Sequence, residues 1–333
     1  MTLRHALTIA ATCLLSSIAF AQDAGSPPAS DARRPATDDD LRYWLDNMVA
    51  HHRFTEAEAA AATGLTEAEV AAACARFGIE RGKVPARKAG EALRVLPYPG
   101  GRHPRIGFLD GAVRPQRETK FSAFAPWDAA SYAVADVPEA IWSNLGLTYL
   151  AHTHVDTLWT KQGIALPKRE WQRGENGRLS LRRELPNGIA FESDVIPEAT
   201  GVKMELRLTN GTGERLTDLR VQNCVMLKGM PGFTALTNDN KVIESPFVAC
   251  RSEDGKRWVL TAWQPIHRPW GNADVPCLHS DPRFPDCPPG KTVRCRGWLS
   301  FYEGDAIKAE MERLGEALAP GSGRANPKRA LTE

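Results

Sequence analysis

The chain has the composition of an ordinary globular protein. Its 333 residues include 42 Lys or Arg and 40 Asp or Glu, a formal charge of +2, so no broad basic field exists to bind nucleic acid. Hydrophobic residues make up 42% and charged residues 25%, which excludes a fully disordered or fibrous chain. The many turn formers, 27 Gly and 24 Pro, together with 9 Trp, favour strands over a helical bundle.

The N-terminus reads as an export signal. Arg4 and His5 precede an apolar run, 6–20, which closes on the small-x-small pattern Ala19-Phe20-Ala21. The run is shorter than the roughly 20 apolar residues that span a bilayer. We therefore predict a signal peptide over 1–21 and a secreted or periplasmic mature protein without a membrane segment.

Cysteine use fits an oxidising compartment. Six cysteines follow the signal, an even number that permits disulfides: Cys74, Cys224, Cys250, Cys277, Cys287 and Cys295. Cys277 and Cys287 bracket a turn-rich loop and are the predicted disulfide pair. The absence of C-x-x-C argues against thioredoxin-like and zinc-ribbon readings.

A small helical segment follows a linker. Residues 22–40 are poor in large apolar side chains, so we predict a disordered linker there. The hydrophobic spacing over 41–82 predicts three helices. Thr55 with Glu58, and Thr66 with Glu69, form two capping boxes.

The last two helices resemble a helix-turn-helix around Gly64. The export signal and the acidic residues Glu67 and Glu69 argue against DNA and favour a packing module or spacer. His51 and His52 are interpreted as cations near a helix C-terminus.

The rest of the chain, 83–318, predicts strands. Val202, Met204, Leu206 and Leu208 alternate with polar residues, the pattern of a half-buried strand. The turn 210–213 predicts a hairpin that returns through 216–227. About ten strands without interleaved helices predict a mainly β fold, an antiparallel β-sandwich or barrel. A helix over 305–318 and a flexible tail, 319–333, complete the prediction.

His152-x-His154 is the most suggestive chemical motif. On a strand, residues i and i+2 point the same way, so two imidazoles could face one metal or one substrate. A third metal ligand would come from elsewhere in the chain, with four candidates: His267, His279, Glu192 and Glu303. Both histidines could equally be structural and hydrogen-bonded.

A second group lies in a Trp- and His-rich stretch. It contains seven residues within 263–281: Trp263, His267, Arg268, Trp270, Asn272, His279 and Asp281. Indole faces suit the C–H side of a sugar ring and the polar groups suit its hydroxyls, which favours carbohydrate recognition. The alternative is that the tryptophans are sheet core.

A third group follows the predicted hairpin. Gln222, Asn223 and Lys228 could bind sugar hydroxyls, and the loop 237–241 could do the same or hold calcium, although turn chemistry explains the loop equally well. A basic cluster could bind an acidic sugar or pair with nearby carboxylates, and we favour pairing: Arg102, His103, Arg105, Arg114 and Arg117. No G-x-S-x-G or G-x-G-x-x-G occurs, so no nucleotide cofactor is indicated.

Several segments carry a resemblance to known families. They include GRHPRIGFLDG, AHTHVDTLW, CLHSDPRFPDC, RGWLSFYEG and the run from LPNGIAFESDV to VQNCVMLKG. Together they resemble a family of uncharacterised secreted bacterial proteins, which implies no particular activity. The order of strands is more distantly similar to the galactose mutarotase-like super-sandwich. That resemblance implies a His acid, which His152 or His154 could supply, and a carboxylate base that no Glu of this chain matches.

These observations lead to three hypotheses. The first is an exported β-sandwich that recognises or processes carbohydrate, with His152, His154 and His267 as acid–base candidates. Its substrate-binding candidates are Asn223, Lys228, Trp263, Arg268, Trp270 and His279. The second is a non-catalytic binding or cell-envelope interaction module, and the third is a metal-dependent hydrolase or oxygenase using the His-x-His pair. The pattern specifies neither the saccharide nor the oligomeric state.

Overall fold

Two antiparallel sheets pack face to face as a sandwich, which confirms the predicted fold class. The structure is a computed structural model that describes residues 32–105, 117–151 and 155–318. The predicted signal segment, most of the predicted linker and the predicted tail lie outside the described residues. Among the described helices, none combines the length and apolar character needed to cross a membrane.

Three short α-helices precede the sandwich. Helix α1 spans Asp38–Leu45 and continues as a π-helical turn over Asp46–His51, α2 spans Glu56–Thr63, and α3 spans Glu67–Phe77. Both predicted capping boxes are present, and Gly64 ends α2 in the left-handed conformation that a residue without Cβ adopts at least cost. Helix α1 begins three residues inside the predicted linker because the Thr37 side chain caps it.

The sheet that carries the candidate site has seven described strands. They are β1 Val95–Pro97, β2 Lys120–Phe124, β3 Tyr132–Ser143, β4 Gly146–Leu150, β9 Val221–Met226, β13 Ile266–Asn272 and β14 Cys277–Pro282. Their order is β1-β2-β3-β9-β14-β13, and β4 pairs with β3. Strand β14 is buried along its whole length, and β3 is buried at all but one residue.

The second sheet has eight described strands. They are β5 Gln172–Arg173, β6 Leu179–Glu184, β7 Ile189–Pro197, β8 Gly201–Asn210, β10 Lys241–Glu244, β11 Phe247–Arg251, β12 Arg257–Gln264 and β15 Thr292–Glu303. Their order is β10-β11-β12-β15-β8-β7-β6-β5. Helix α4, Ile307–Leu318, packs on this sheet through Met311 and Leu314.

Each face of the seven-stranded sheet has its own core. The inner face packs against the eight-stranded sheet, for example through Phe121 and Val225. We call the opposite face the outer face. Part of it packs under α1 to α3, where Met48 and Phe54 share one apolar cluster with Met226. The helical segment is therefore joined to the sandwich by a shared core.

The predicted hairpin at 210–213 is wrong. Strand β8 pairs with β7 and β15, while β9 pairs with β3 and β14 in the other sheet. The chain between β8 and β9 crosses the sandwich, and Leu216 and Leu219 are buried in the core between the sheets. Their apolar character comes from this crossing, which local alternation cannot distinguish from a returning strand.

Two further expectations are corrected. The predicted disulfide is absent, since Cys277 packs on the outer face and Cys287 in the core between the sheets, and the six described cysteines are free. His52 is a buried, hydrogen-bonded ring whose pKa burial lowers to about 3, so it is not a cation at neutral pH.

Loss of the second capping box should destabilise α3 measurably. Replacing Thr66 with alanine removes the hydroxyl that accepts from the Glu69 backbone amide at 3.2 Å. We expect the free energy of unfolding to fall by about 1 kcal/mol, measured by urea denaturation. Thr66→Ser keeps the acceptor and should stay close to wild type; equal losses in both variants would contradict the capping role.

Candidate functional site

Five side chains form a row across the outer face of the seven-stranded sheet. Lys120 on β2 pairs in register with Asp136 on β3, and Asp136 pairs with Cys224 on β9. At the other end of the row, His279 on β14 pairs with Trp270 on β13. Cross-strand partners in an antiparallel sheet share a face, so the row brings chemistry-bearing residues together from five strands.

The link between Cys224 and His279 follows from the register of β9 and β14. Met226 pairs with Cys277, and the bridge between Arg220 and Arg283 beyond the site keeps the same register. Cys224 therefore lies opposite His279. Between these two strand pairings, side chains of β14 bond the backbone of Asn223 in place of the strand ladder. The backbone N–H of Asn223 donates to Asp281 Oδ1 at 3.1 Å, and the backbone carbonyl oxygen of Asn223 is 2.8 Å from His279 Nδ1.

His279 is fixed on every side. Its ring is stacked on the Trp270 indole with centroids 3.8 Å apart and an interplanar angle of 9°. Its Nε2 lies 3.3 Å from Cys277 Sγ, and only 1% of the residue is exposed. The His279 ring is thus buried, and the half-buried Trp270 ring lies against it.

Asp281 joins the neighbouring polar groups. Its Oδ2 accepts from Trp270 Nε1 at 2.7 Å and from Arg268 Nε at 3.1 Å. The Arg268 guanidinium lies 5.1 Å from the Trp270 ring centroid, and its side chain is 56% exposed. One buried carboxylate therefore holds an indole and a solvent-facing guanidinium side by side.

A second carboxylate lies in the irregular part of β3. Glu139 falls where the register of β3 against β9 shifts, and it is ion-paired with Arg105. Gln222 Nε2 donates to Glu139 Oε2 at 2.9 Å, while Glu139 itself is 1% exposed. Burial alone would lower the pKa of Arg105, but the adjacent Cys224 thiol and Glu139 carboxylate raise it.

The thiols and the imidazole influence one another's protonation. A hydrogen bond from Cys224, against the effect of burial, lowers the pKa of Cys277, and Arg105 lowers it further. Burial raises the pKa of Cys224 well above the usual value for a thiol. Burial would also lower the pKa of His279, but Cys224, Asp281 and Glu139 outweigh it and the pKa is raised. The cluster is therefore strongly coupled.

Backbone strain occurs beside the row. Thr119 has φ 54, a left-handed conformation that is unfavourable for a β-branched residue, and its hydroxyl donates to Asp136 Oδ1 at 2.5 Å. Such strained positions cluster at functional sites.

The structure brings together four of the residues predicted from the sequence. Arg268, Trp270, His279 and Asp281 form one contiguous group on β13 and β14. His267 is exposed at the bulge of β13, and its pKa is lowered, first by burial and then by Arg268, Arg283 and Arg220.

The other predicted residues lie apart from this group, contact it only through their backbone, or fall outside the described part of the chain. Trp263 is 1% exposed and packs on Gly297 in the core between the sheets. It is therefore a core tryptophan, which was the alternative for this group. Asn223 is also buried and contributes its backbone rather than its side chain. Lys228 is exposed beyond the end of β9. His152 and His154 lie outside the described residues.

Sequence reasoning missed two cysteines and a carboxylate of this site: Cys224, Cys277 and Glu139. A signal for one of them was available, because Cys277, His279 and Asp281 stand at i, i+2 and i+4 and must share a strand face. Cys224 and Glu139 carry no local signal, since the register of β3, β9 and β14 brings them in. The predicted carboxylate pairing of Arg102, Arg105 and Arg117 is confirmed by their ion pairs with Glu58, Glu139 and Glu170.

Comparisons with known proteins give similarities of fold at low identity. No family model and no curated protein matches the chain. Among solved structures, the Slr1438 protein from Synechocystis sp. PCC 6803 is similar over 66% of this chain and 97% of its own, with 12% identity and a TM-score of 0.34. A putative aldose 1-epimerase from Klebsiella pneumoniae is similar over 67% and 65%, with 9% identity and a TM-score of 0.30.

A larger enzyme is also similar. A heparan sulfate lyase from Pedobacter heparinus matches 83% of this chain with 10% identity and a TM-score of 0.32, and the match spans 44% of the lyase. The similar structures thus include carbohydrate-active enzymes, among them the aldose epimerase type that the sequence distantly resembles. Similarities at this level do not identify a substrate or a reaction for this chain.

Proposed function

We propose that the protein is exported and recognises a carbohydrate on the outer face of the seven-stranded sheet, beside Trp270. The observation that carries the proposal is the Asp281 carboxylate, which fixes the Trp270 indole and the exposed Arg268 guanidinium side by side. The signal-like N-terminus supports the exported location.

This arrangement suits a sugar because it combines an apolar surface with directional donors. One face of the Trp270 ring is stacked on His279 and the Arg268 guanidinium lies over the ring, so the half-buried indole offers its remaining exposed part to the C–H groups of a sugar. Arg268 offers N–H donors to the hydroxyls. Gln222, partly exposed, falls opposite Asp281 in the register of β9 and β14 and adds an amide near the same place. Because Trp270 and Arg268 are already held by Asp281, little conformational entropy would be lost on binding.

The geometry favours recognition over turnover. His279 has one ring nitrogen against the Asn223 carbonyl and the other against Cys277, and Glu139 is held by Arg105 and Gln222. A general acid or base must reach the reacting group directly or through one water. His279 and Glu139 are buried and already bonded to other residues, so neither is placed to do so. His267, exposed on the neighbouring bulge, is the described histidine through which a reaction would run if one occurred.

Glycan binding tests the proposal directly. We expect a saccharide from a panel of neutral and acidic glycans to bind the wild type, and Trp270→Ala to weaken binding at least tenfold, which is about 1.4 kcal/mol. Arg268→Ala should weaken it in the same direction. Arg294→Ala is the matched control, since its side chain is 60% exposed on the eight-stranded sheet and should bind like the wild type.

Two outcomes would count against this function. Unchanged affinity in both Trp270→Ala and Arg268→Ala would remove the proposed surface, and no binding to any glycan would remove the ligand class. Turnover of a bound glycan that His267→Ala abolishes would replace recognition with catalysis at the same surface.

A further inference from the structure

Three atoms that can ligate a metal lie close together beside Trp270. Cys224 Sγ, Cys277 Sγ and one ring nitrogen of His279 all lie within 4.8 Å of one another. All three residues are buried, with exposed fractions of 1% or less. Two thiols and an imidazole are ligand types found in protein zinc sites.

The three residues are held on adjacent strands. Cys277 and His279 occupy i and i+2 of β14 and so share a face, and Cys224 lies opposite His279 on β9. Ligands carried on paired strands are positioned with little freedom, as a metal site requires. The stacked Trp270 ring fixes the plane of the imidazole as well.

The hydrogen bond to His279 sets the tautomer that a metal needs. Nδ1 lies 2.8 Å from the Asn223 carbonyl, which can only accept, so Nδ1 carries the proton and donates it. The lone pair is then on Nε2, the nitrogen that lies 3.3 Å from Cys277 Sγ. A histidine that ligates a metal through one nitrogen commonly donates the other N–H to a carbonyl in this way.

Strand register disfavours a disulfide as the alternative use of the two thiols. Cys277 is directly opposite Met226, and Cys224 is directly opposite His279, so the two cysteines are diagonal neighbours. Diagonal positions are separated by about 7–8 Å, whereas disulfides need Cα atoms about 4.4–6.8 Å apart. An ion between the sulfurs fits that spacing better than a bond between them.

We propose that Cys224, Cys277 and His279 bind one thiophilic metal ion, with Zn²⁺ as the expected occupant. Two thiolates and an imidazole select zinc over calcium or magnesium, which prefer oxygen ligands. Three protein ligands leave a fourth position for water or a ligand, as in catalytic zinc sites. The Arg105–Glu139 pair beside the cysteines is neutral overall, so it does not oppose a dication balanced by two thiolates. This inference stands whether or not the surface beside Trp270 binds a sugar.

Metal analysis of the full chain tests the site. Protein purified with added Zn²⁺ and then freed of excess metal should retain about one zinc per chain, as a single Cys₂His site requires. Replacing zinc with Co²⁺ should produce thiolate-to-cobalt charge transfer and the visible bands of a tetrahedral site. Cys224→Ser, Cys277→Ser and His279→Gln should each weaken zinc binding by on the order of 10- to 100-fold or more.

The control variant is Cys295→Ser, which removes a buried thiol from the core between the sheets and should keep both the zinc and the cobalt spectrum. Circular dichroism checks that each variant is folded, and the wild-type cobalt spectrum decides the matter even if a variant is not. Folded wild type that retains no zinc and shows no charge-transfer band would overturn the site. An intact mass showing a Cys224–Cys277 disulfide that persists in the presence of Zn²⁺ would overturn it too.

Discussion

Replacing Lys120 with methionine should lower the free energy of unfolding by about 3–5 kcal/mol, because it leaves a buried carboxylate without its cation. Lys120 Nζ lies 2.6 Å from Asp136 Oδ2, and the two side chains are 1% and 0% exposed. Methionine keeps most of the apolar stem but cannot pair with the carboxylate. Urea denaturation at pH 7 measures the loss.

The pH dependence of this variant identifies the cause. Burial already raises the pKa of Asp136 in the wild type, against the opposing effect of Lys120. Without Lys120 the pKa of Asp136 rises further. A carboxyl group whose pKa is higher in the folded than in the unfolded state makes the protein less stable as the pH rises. The deficit of Lys120→Met should therefore shrink on acidification as Asp136 takes up a proton.

Two comparison variants separate pairing from packing. Lys120→Met with Asp136→Leu removes both charges and should recover most of the loss. Lys203→Met breaks an exposed pair with Glu198 and should cost no more than about 1 kcal/mol. A Lys120→Met deficit as small as that of Lys203→Met would show that the buried pair does not stabilise the sheet.

Acid should destabilise the protein through His52. The ring lies between α1 and the outer face, with Nδ1 2.8 Å from the Asn47 carbonyl and Nε2 2.6 Å from Ser122 Oγ. Burial, helped by repulsion from Arg102 and His51, lowers its pKa from 6.5 to about 3. The unfolded chain therefore binds a proton in a pH range where the folded chain does not.

The sign and size of the effect follow from that difference. Stability from the neutral ring is fully present above pH 6.5 and is lost as the pH falls towards 3. The full shift corresponds to about 5 kcal/mol. We expect His52→Gln, which cannot be protonated, to be less stable at pH 7 but to lose less stability between pH 7 and pH 4, as measured by urea midpoints.

His267→Gln provides the control for general effects of removing an imidazole. His267 is exposed and its pKa is lowered less than that of His52, so its substitution should reduce the acid dependence much less than His52→Gln does. If His52→Gln and the wild type lost stability in parallel, another group would have to be responsible for the acid sensitivity.

Local patterns in the sequence predicted local structure well. The capping boxes at Thr55 and Thr66 depend on residues three apart and were confirmed, as was the alternating strand at 202–208. The strand content led to the correct fold class. Each of these features is encoded within about ten residues of chain, where hydrogen bonding and hydrophobic periodicity act directly.

Pairing between distant segments could not be predicted in the same way. Leu216 and Leu219 looked like a returning strand, yet they line a crossing between two sheets. His52 was predicted to be a cation at a helix terminus because the local sequence does not show that it is buried. Its burial depends on Ser122 and the outer face, which pack against it from a distant part of the chain. Arg268, Trp270 and His279 could be predicted because they lie in one stretch of unusual composition. Cys224 and Glu139 could not, because only the register of distant strands brings them to that group.

The strand that presents Trp270 is also the last in its sheet. Strand β13 pairs with β14 on one side, and the described strand order ends there. Pro269 offers no amide hydrogen, the register shifts between Ile266 and Arg268, and Asn238 donates to the Gly271 carbonyl. These features block the addition of a foreign strand along this border. The border can then stay open to solvent without serving as a template for aggregation.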